Sequence, residues 1–381
     1  MATSDAGRLA QLAREDGRLA LDTEFMPEGR YKPLLCLVQV AAGGEIAVLD
    51  PLEGFDPAPL AAVLADPAIE VVLHAGRQDV AILRREWLTT FANVFDTQVA
   101  AGFAGFPAQA GYSGLLYDVL HVRVAKTASF TRWDVRPLTD EQLRYARGDV
   151  EHLLALADEI GARLRDRGRL EWAREECRAI AEATDERDPG EAWRRLPRVA
   201  GLDPRARAVA RELAAWRERM AASEDRPVGS VVRDPTVVEL AKRQPEGRRD
   251  LAQIRGVNPD VVRRRGPDVL AAIERGRQAE PVRLDDADRF STESVDGPVI
   301  ALAESLVRVR AQEAGLAYEL IAARADLAPV VVAARRGDAE PDVRTLRGWR
   351  RELVGAELLE LLAGRRSLGV DAGGRARVSD A

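Results

Sequence analysis

The sequence predicts an α/β domain with a mixed sheet, followed by two small all-α domains. Three observations carry this. Strand-like stretches alternate with helical ones over the first half of the chain, after an opening hairpin. Residues 69–74 are a near-continuous apolar run, the pattern of a strand covered on both faces. Beyond about residue 205 the apolar spacing is almost purely helical.

Taken in order, residues 18–24, 34–41 and 45–49 read as strands, with 26–32 and Gly43-Gly44 as the turns between them. The last two, split only by the glycine pair, form an antiparallel hairpin. Residues 57–64 make a helix that opens on Pro57. A strand at 69–74, a helix at 77–85 and a short strand at 93–95 follow, and helical spacing dominates from 138 to about 183. The expected domains are therefore 1–188, 205–279 and 298–368. A Pro- and Gly-rich linker at 189–204 and a polar one at 280–297 separate them, and residues 369–381 form a disordered tail. The stretch beginning Asp234-Pro-Thr-Val-Val is echoed 92 residues later by Asp326-Leu-Ala-Pro-Val-Val, which suggests a repeated helical unit.

Composition narrows the function. The 381 residues are 46% apolar, 31% charged and only 5% aromatic, a globular balance. No apolar run reaches the ~18–20 residues of a membrane span, and no basic flank with an apolar core opens the chain, so the cytoplasm is the expected location. Cys36 and Cys177 have no metal-finger or disulfide spacing and read as buried thiols. The net charge of −6 argues against indiscriminate coating of nucleic acid. Its distribution is uneven: −10 over residues 1–190, +7 over 191–279 and −3 over 280–381. An acidic front domain beside a basic module fits metal chemistry paired with a grip on a polyanion, with Arg194, Arg195, Arg198, Arg205, Arg207, Arg248, Arg249 and Arg263 to Arg265 as candidates for tracking phosphates.

Three clusters carry the chemistry. Asp22 and Glu24 sit two apart at a strand end, so both carboxylates share a face, and like charges that close call for a cation. Asp79 lies in the first turn of the helix that follows the 69–74 strand, where open α/β sheets place their sites. Tyr145 and Asp149 are four apart on a late helix and face one space. Each has a plain alternative: a strand running into a polar turn, a carboxylate meeting a helix dipole, and an ordinary surface pair.

As an ordered set, the clusters resemble the DEDD superfamily of 3′→5′ exonucleases, in the branch with tyrosine in the third motif. The resemblance narrows to the ribonuclease D family through Leu21-Asp-Thr-Glu-Phe25, Leu73-His-Ala-Gly76, Phe95-Asp-Thr-Gln98, Lys126-Thr-Ala-Ser-Phe-Thr-Arg-Trp133, Arg136-Pro-Leu138 and Tyr145-Ala-Arg-Gly-Asp-Val150. It extends through Ala192-Trp-Arg-Arg-Leu196 and Glu212-Leu-Ala-Ala-Trp-Arg217 into the helicase-and-RNase-D C-terminal (HRDC) type of helical domain, with the last helical block similar to a divergent second copy. Thr131-Arg-Trp-Asp134 departs from the family, which more often has an acidic residue before the tryptophan.

The resemblance implies a ribonuclease H-like exonuclease fold and two divalent ions, Mg²⁺ or Mn²⁺. Asp22, Glu24 and Asp149 would hold the ion that activates water. Asp22 would bridge to the second, with Asp79 acting partly through water. Tyr145, a poor base at an ordinary pKa near 10, would orient the attacking water. Phe25 and Met26 would wedge beside the terminal base, with a plain core role as the alternative for Phe25; Arg77 and Lys126 are further substrate-binding candidates, while His74 reads as a core or supporting residue. The implied partner is RNA with a single-stranded 3′ end, such as a tRNA precursor, cleaved to nucleoside 5′-monophosphates. No membrane and no obligate protein partner are expected. The rival readings are a single-stranded DNA exonuclease and a catalytically idle RNA-binding scaffold.

Overall fold

The computed structural model describes residues 2–124, 132–283 and 292–381. Five strands form one sheet: β1 (Arg18–Met26), β2 (Leu34–Ala42), β3 (Glu45–Leu49), β4 (Glu70–Leu73) and β5 (Val94–Asp96). Their order is β3-β2-β1-β4-β5, antiparallel on the β3 side of β1 and parallel on the β5 side. The mixed sheet and the Gly43-Gly44 hairpin are as expected. An unforeseen helix, α1 (Ala2–Asp16), precedes it.

Strand alternation gives the sheet two buried faces. Leu19, Leu21, Val38, Val40, Val71 and Leu73 pack one core together with α1, α2 (Ala58–Leu64) and α3 (Arg77–Glu86). Ala20, Ala41, Val72 and Phe95 face the other way, toward α4 (Thr97–Phe103), α5 (Tyr112–Leu115), α6 (Asp140–Glu151), α7 (Leu153–Asp166) and α8 (Leu170–Ala181). Both faces are covered, which is why residues 69–74 read as a near-continuous apolar run, broken by Glu70 at the strand's start.

The first helical block runs through α9 (Pro204–Ser223), α10 (Val228–Val231), α11 (Asp234–Arg243), α12 (Arg248–Ala252) and α13 (Pro259–Gln278). A Cβ on Gly276 would stand 2.4 Å from the Val209 Cα, so glycine allows α13 to cross α9 that closely. The expected linker at 189–204 is corrected here: Trp193, Leu196, Val199 and Leu202 are buried in the core of this block. Their spacing of three suits two 3₁₀ turns that hold Trp193 and Val199 and end on Leu196 and Leu202, a period hidden behind the prolines and glycines.

The second block comprises α14 (Asp296–Ala314), α15 (Tyr318–Ile321), α16 (Arg324–Arg336), α17 (Gly348–Arg350) and α18 (Ala356–Leu362). Its core is continuous with that of the sheet domain: Trp349 meets Phe103 edge-on at 5.0 Å and stacks on Trp172 at 5.3 Å. The tail is a second correction. Residues 369–381 are not disordered but complete a hairpin of β6 (Arg366–Val370) and β7 (Ala376–Asp380). Leu368 and Val378 pack on the shared core, and the Asp371 carboxylate accepts from the Gly373 and Arg375 amides to form the turn. Among the described residues no helix is long and apolar enough to cross a membrane.

Candidate active site

β1 delivers Asp22 and Glu24 to the face crossed by α6, while Thr23 points to the opposite side. A register shift between Glu24 and Phe25 re-aims the strand as it leaves the sheet. On α6, Thr139 caps the helix and Gln142 answers its backbone, closing a capping box that sets the register of everything after it. Ala146 and Val150 are fully buried beneath the helix, which leaves Tyr145 and Asp149 on the adjoining stripe. One carboxylate oxygen each from Asp22, Glu24 and Asp149 lies within 4.8 Å of the others.

Asp79 stands one step back. It is buried in the first turn of α3, and its carboxylate accepts a hydrogen bond from the Thr23 hydroxyl. Three of the four predicted carboxylates thus converge, and the fourth is held from behind β1. The turn that carries it is built by Asp96, a fully buried residue whose carboxylate accepts from the Ala75 amide at 3.2 Å, Gly76 at 2.8 Å, Gln98 at 2.9 Å and Val99 at 3.1 Å. A Cβ on Gly76 would lie 2.7 Å from the Leu73 Cβ, so only glycine lets the chain turn that tightly from β4 into α3.

The electrostatics are those of a site short of positive charge. Burial, then repulsion from Asp79, Asp149 and Glu24, pushes the Asp22 carboxyl well above its ordinary range. Glu24 is pushed to about 8 by burial and by Asp149 and Asp79. Asp149 reaches about 7 through burial, against the pull of its hydrogen bond with Tyr145. Asp79 reaches about 6 through burial, with the Thr23 hydroxyl drawing it down. The Tyr145 phenol is driven above its usual value, first by burial and then by Asp149, so it stays protonated. Oxygen-only donors that repel one another this strongly suit a hard divalent cation.

The remaining candidates divide. Phe25 and Met26 line an open cleft of about 670 Å³ beside Glu24, with Arg30, Arg132, Trp133 and Asp134. The Trp133 ring also lies 6.0 Å from that of Tyr145. Asp134, outside the site set, is paired with Arg132 at 2.7 Å. Arg77 is exposed and reaches the Ala179 carbonyl of α8 at 3.4 Å, a tether between helices. Lys126 lies outside the described residues. His74 sits beside the Thr97 hydroxyl, Nδ1 to Oγ1 at 2.9 Å. Thr23 and Asp96 fall within the family motifs, but the sequence reading gives them no role: the Thr23 partner lies 56 residues away, and although Asp96 caps its own helix through the Gln98 and Val99 amides, its bonds to Ala75 and Gly76 span about 20 residues.

The basic block flanks the cleft. Arg30 pairs with Asp225 at 2.8 Å and the Tyr31 hydroxyl donates to Glu218 at 2.9 Å, which seats the β1–β2 loop on the first helical block. Several arginines proposed to track phosphates are engaged within that block: Arg205 with the Arg277 carbonyl, Arg207 with Ala200, Arg263 with Asp260 and Arg265 with Glu224.

Comparison with known proteins agrees with this geometry. Residues 3–165 match the 3′-5′ exonuclease family and residues 206–273 the HRDC domain family. Ribonuclease D of Acidiphilium cryptum is 37% identical over 355 residues, covering 92% of this chain and 89% of that protein. Ribonuclease D of Pseudomonas paraeruginosa is 36% identical over 368 residues, covering 94% and 96%. The crystal structure of Escherichia coli RNase D, described as an exoribonuclease involved in structured RNA processing, superposes with a TM-score of 0.85 at 29% identity over 95% of this chain and 98% of that one. With relatives this similar along nearly its whole length, the chain belongs to the ribonuclease D family of 3′→5′ exoribonucleases.

Proposed function

We propose that this exoribonuclease uses two divalent ions, Mg²⁺ or Mn²⁺, to remove nucleoside 5′-monophosphates from RNA with a single-stranded 3′ end, the 3′ trailers of tRNA precursors among its substrates. The observation that carries the metal reading is the convergence of Asp22, Glu24 and Asp149 within 4.8 Å beside a protonated Tyr145. Asp22, Glu24 and Asp149 would hold the ions, with Asp79 contributing from the α3 side. When bound, such ions neutralise the phosphate and lower the pKa of water.

The chain's own groups do the rest. Tyr145 keeps its proton, which it shares with Asp149 in the metal-free protein; with the Asp149 carboxylate turned to an ion, that single donor would be free to orient the attacking water, leaving proton removal to others. Phe25 and Met26, on the wall of the cleft, offer apolar surface for the last base. The second helical block, which repeats the first's sequence of long, four-residue and middle helices, is read as a divergent copy of it.

The test uses 5′-labelled RNA and DNA with single-stranded 3′ ends, Mg²⁺ or Mn²⁺, and a matched tRNA precursor. Laddering from the 3′ end of RNA, abolished by EDTA and by Asp22→Asn, is expected. Wild-type cleavage by Asp22→Asn would exclude this site, and equal or faster cleavage of DNA would overturn the RNA assignment.

A further inference from the structure

Gln39 is fully buried at the centre of β2, and both ends of its carboxamide lack a hydrogen-bond partner among the described residues. It lies in register with Asp22 on the neighbouring antiparallel strand, so the two side chains leave the sheet on the same face. Residues opposed in this way have Cβ atoms about 4.5–5.5 Å apart, a gap that a glutamine side chain spans. On its other side Gln39 is opposed by Val48 of β3, and α6 covers all three strands. The flanking members of β2, Cys36 to Val38 and Val40 to Ala42, are all apolar and buried. A leucine here would match its neighbours without stranding an amide, and buried polar groups are ordinarily paired. The unpaired amide therefore marks a position whose partner belongs to the working state of the site.

We infer that Gln39 is a positioning residue for Asp22: its Nε2–H group donates to the Asp22 carboxylate when that carboxylate is ionised on a metal, fixing which oxygens face the ion. This rests on the reading of Asp22 as a metal ligand. A neutral donor suits the place better than a cation, because it orients the carboxylate without competing for it. Glutamine also differs from the groups acting on the other carboxylates: Thr23 serves Asp79 and Tyr145 serves Asp149.

The test compares full-length protein with Gln39→Leu, Gln39→Met and Asp22→Asn. Mn²⁺ affinity is measured by calorimetry, melting temperature without metal, and kcat and KM on a single-stranded 3′ RNA. Loss of an outer-shell partner costs about 10- to 100-fold in metal affinity. The leucine variant should weaken Mn²⁺ binding to that extent and lower kcat, with KM for RNA unchanged and the metal-free melting temperature equal or higher. Should Gln39→Leu fail to melt cooperatively, the straight-chain Gln39→Met carries the same expectation. Unchanged Mn²⁺ affinity in the folded apolar variant, with affinity lost in Asp22→Asn, overturns the role of Gln39 alone. Unchanged affinity in Asp22→Asn as well overturns the metal reading beneath it.

Discussion

The Thr23 hydroxyl donates to the Asp79 carboxylate on the side of β1 away from Asp22 and Glu24, so the middle residue of the acidic triplet orients the fourth carboxylate. The bond favours the ionised form and holds Asp79 near 6 against the upward push of burial. Thr23→Val keeps the shape and removes the donor. It should raise the Asp79 pKa further and lower stability by about 1–3 kcal/mol, the penalty for an unpaired buried acceptor. Mn²⁺ affinity should fall severalfold at pH 6.5 and little at pH 8.5, where the carboxyl ionises regardless. Calorimetric titration at the two pH values reads this directly, and an equal loss at both would show that Thr23 acts only through packing.

The four raised carboxyls make the metal-free protein sensitive to pH in a defined direction. Their folded values lie above the unfolded ones of about 4, so the folded state binds more protons through this window. Stability is then full below about pH 4 as far as these groups are concerned, and is lost as pH rises through about 6, 7 and 8. With EDTA present, the melting temperature should fall between pH 5.5 and 8.5, and Mn²⁺ should raise it more at the upper end. Replacing Glu24 and Asp149 by Gln and Asn should flatten the EDTA curve. A rising curve would contradict the electrostatics of the cluster.

Tyr145 is a donor by the same reasoning. Burial and Asp149 keep its phenol protonated above the usual range. Tyr145→Phe should lower kcat about 100-fold, the scale of one lost transition-state hydrogen bond. KM for RNA should hold, and the alkaline side of the kcat profile should keep its shape up to pH 9. If the wild-type kcat instead rose with pH on the alkaline side and that rise disappeared in the variant, the tyrosine would be a titrating base.

The legible parts of this molecule were those written at short period. Asp22 and Glu24 share a face because strands alternate, and Tyr145 and Asp149 share one because they sit four apart on a helix. What escaped depends on contacts between distant segments or on a masked period. Thr23 finds Asp79 56 residues away. Trp193 and its three-spaced partners look like linker because Pro189, Gly190, Pro197 and Gly201 interrupt them, yet they are core. The terminal hairpin hid its alternation among glycines and arginines, and its cross-strand pairs, Arg366 with Asp380 and Ser367 with Ser379, have no local signature. The first sheet was readable because the Gly43-Gly44 pair marks its hairpin and its strands are largely apolar.

The last prediction concerns how the second helical block is held. Glu176 on α8 accepts from both terminal nitrogens of Arg350, at 2.6 and 2.8 Å, and from the Trp349 indole at 2.9 Å. Arg350 is almost fully buried, so the fork is shielded from solvent on one side while the Glu176 side chain remains 26% exposed. The guanidinium holds Glu176 below the ordinary carboxylate range despite burial. Removing either partner strands the other, and Glu176→Gln or Arg350→Met should each cost about 2–3 kcal/mol, less than a wholly buried pair would. The double variant should cost clearly less than the two combined, a coupling of about 1–2 kcal/mol in chemical denaturation. The next residue along, Cys177, accepts at 3.3 Å from the amide of Asp96, at the end of β5, whose carboxylate braces the turn that carries Asp79, so α8 touches both the docking fork and the support of the site. Because Trp172, Phe103 and the shared core still hold α8, Glu176→Gln should lower the melting temperature while leaving Mn²⁺ affinity unchanged. A parallel loss of metal affinity would show that docking of the second block sets the geometry of the carboxylates through that helix.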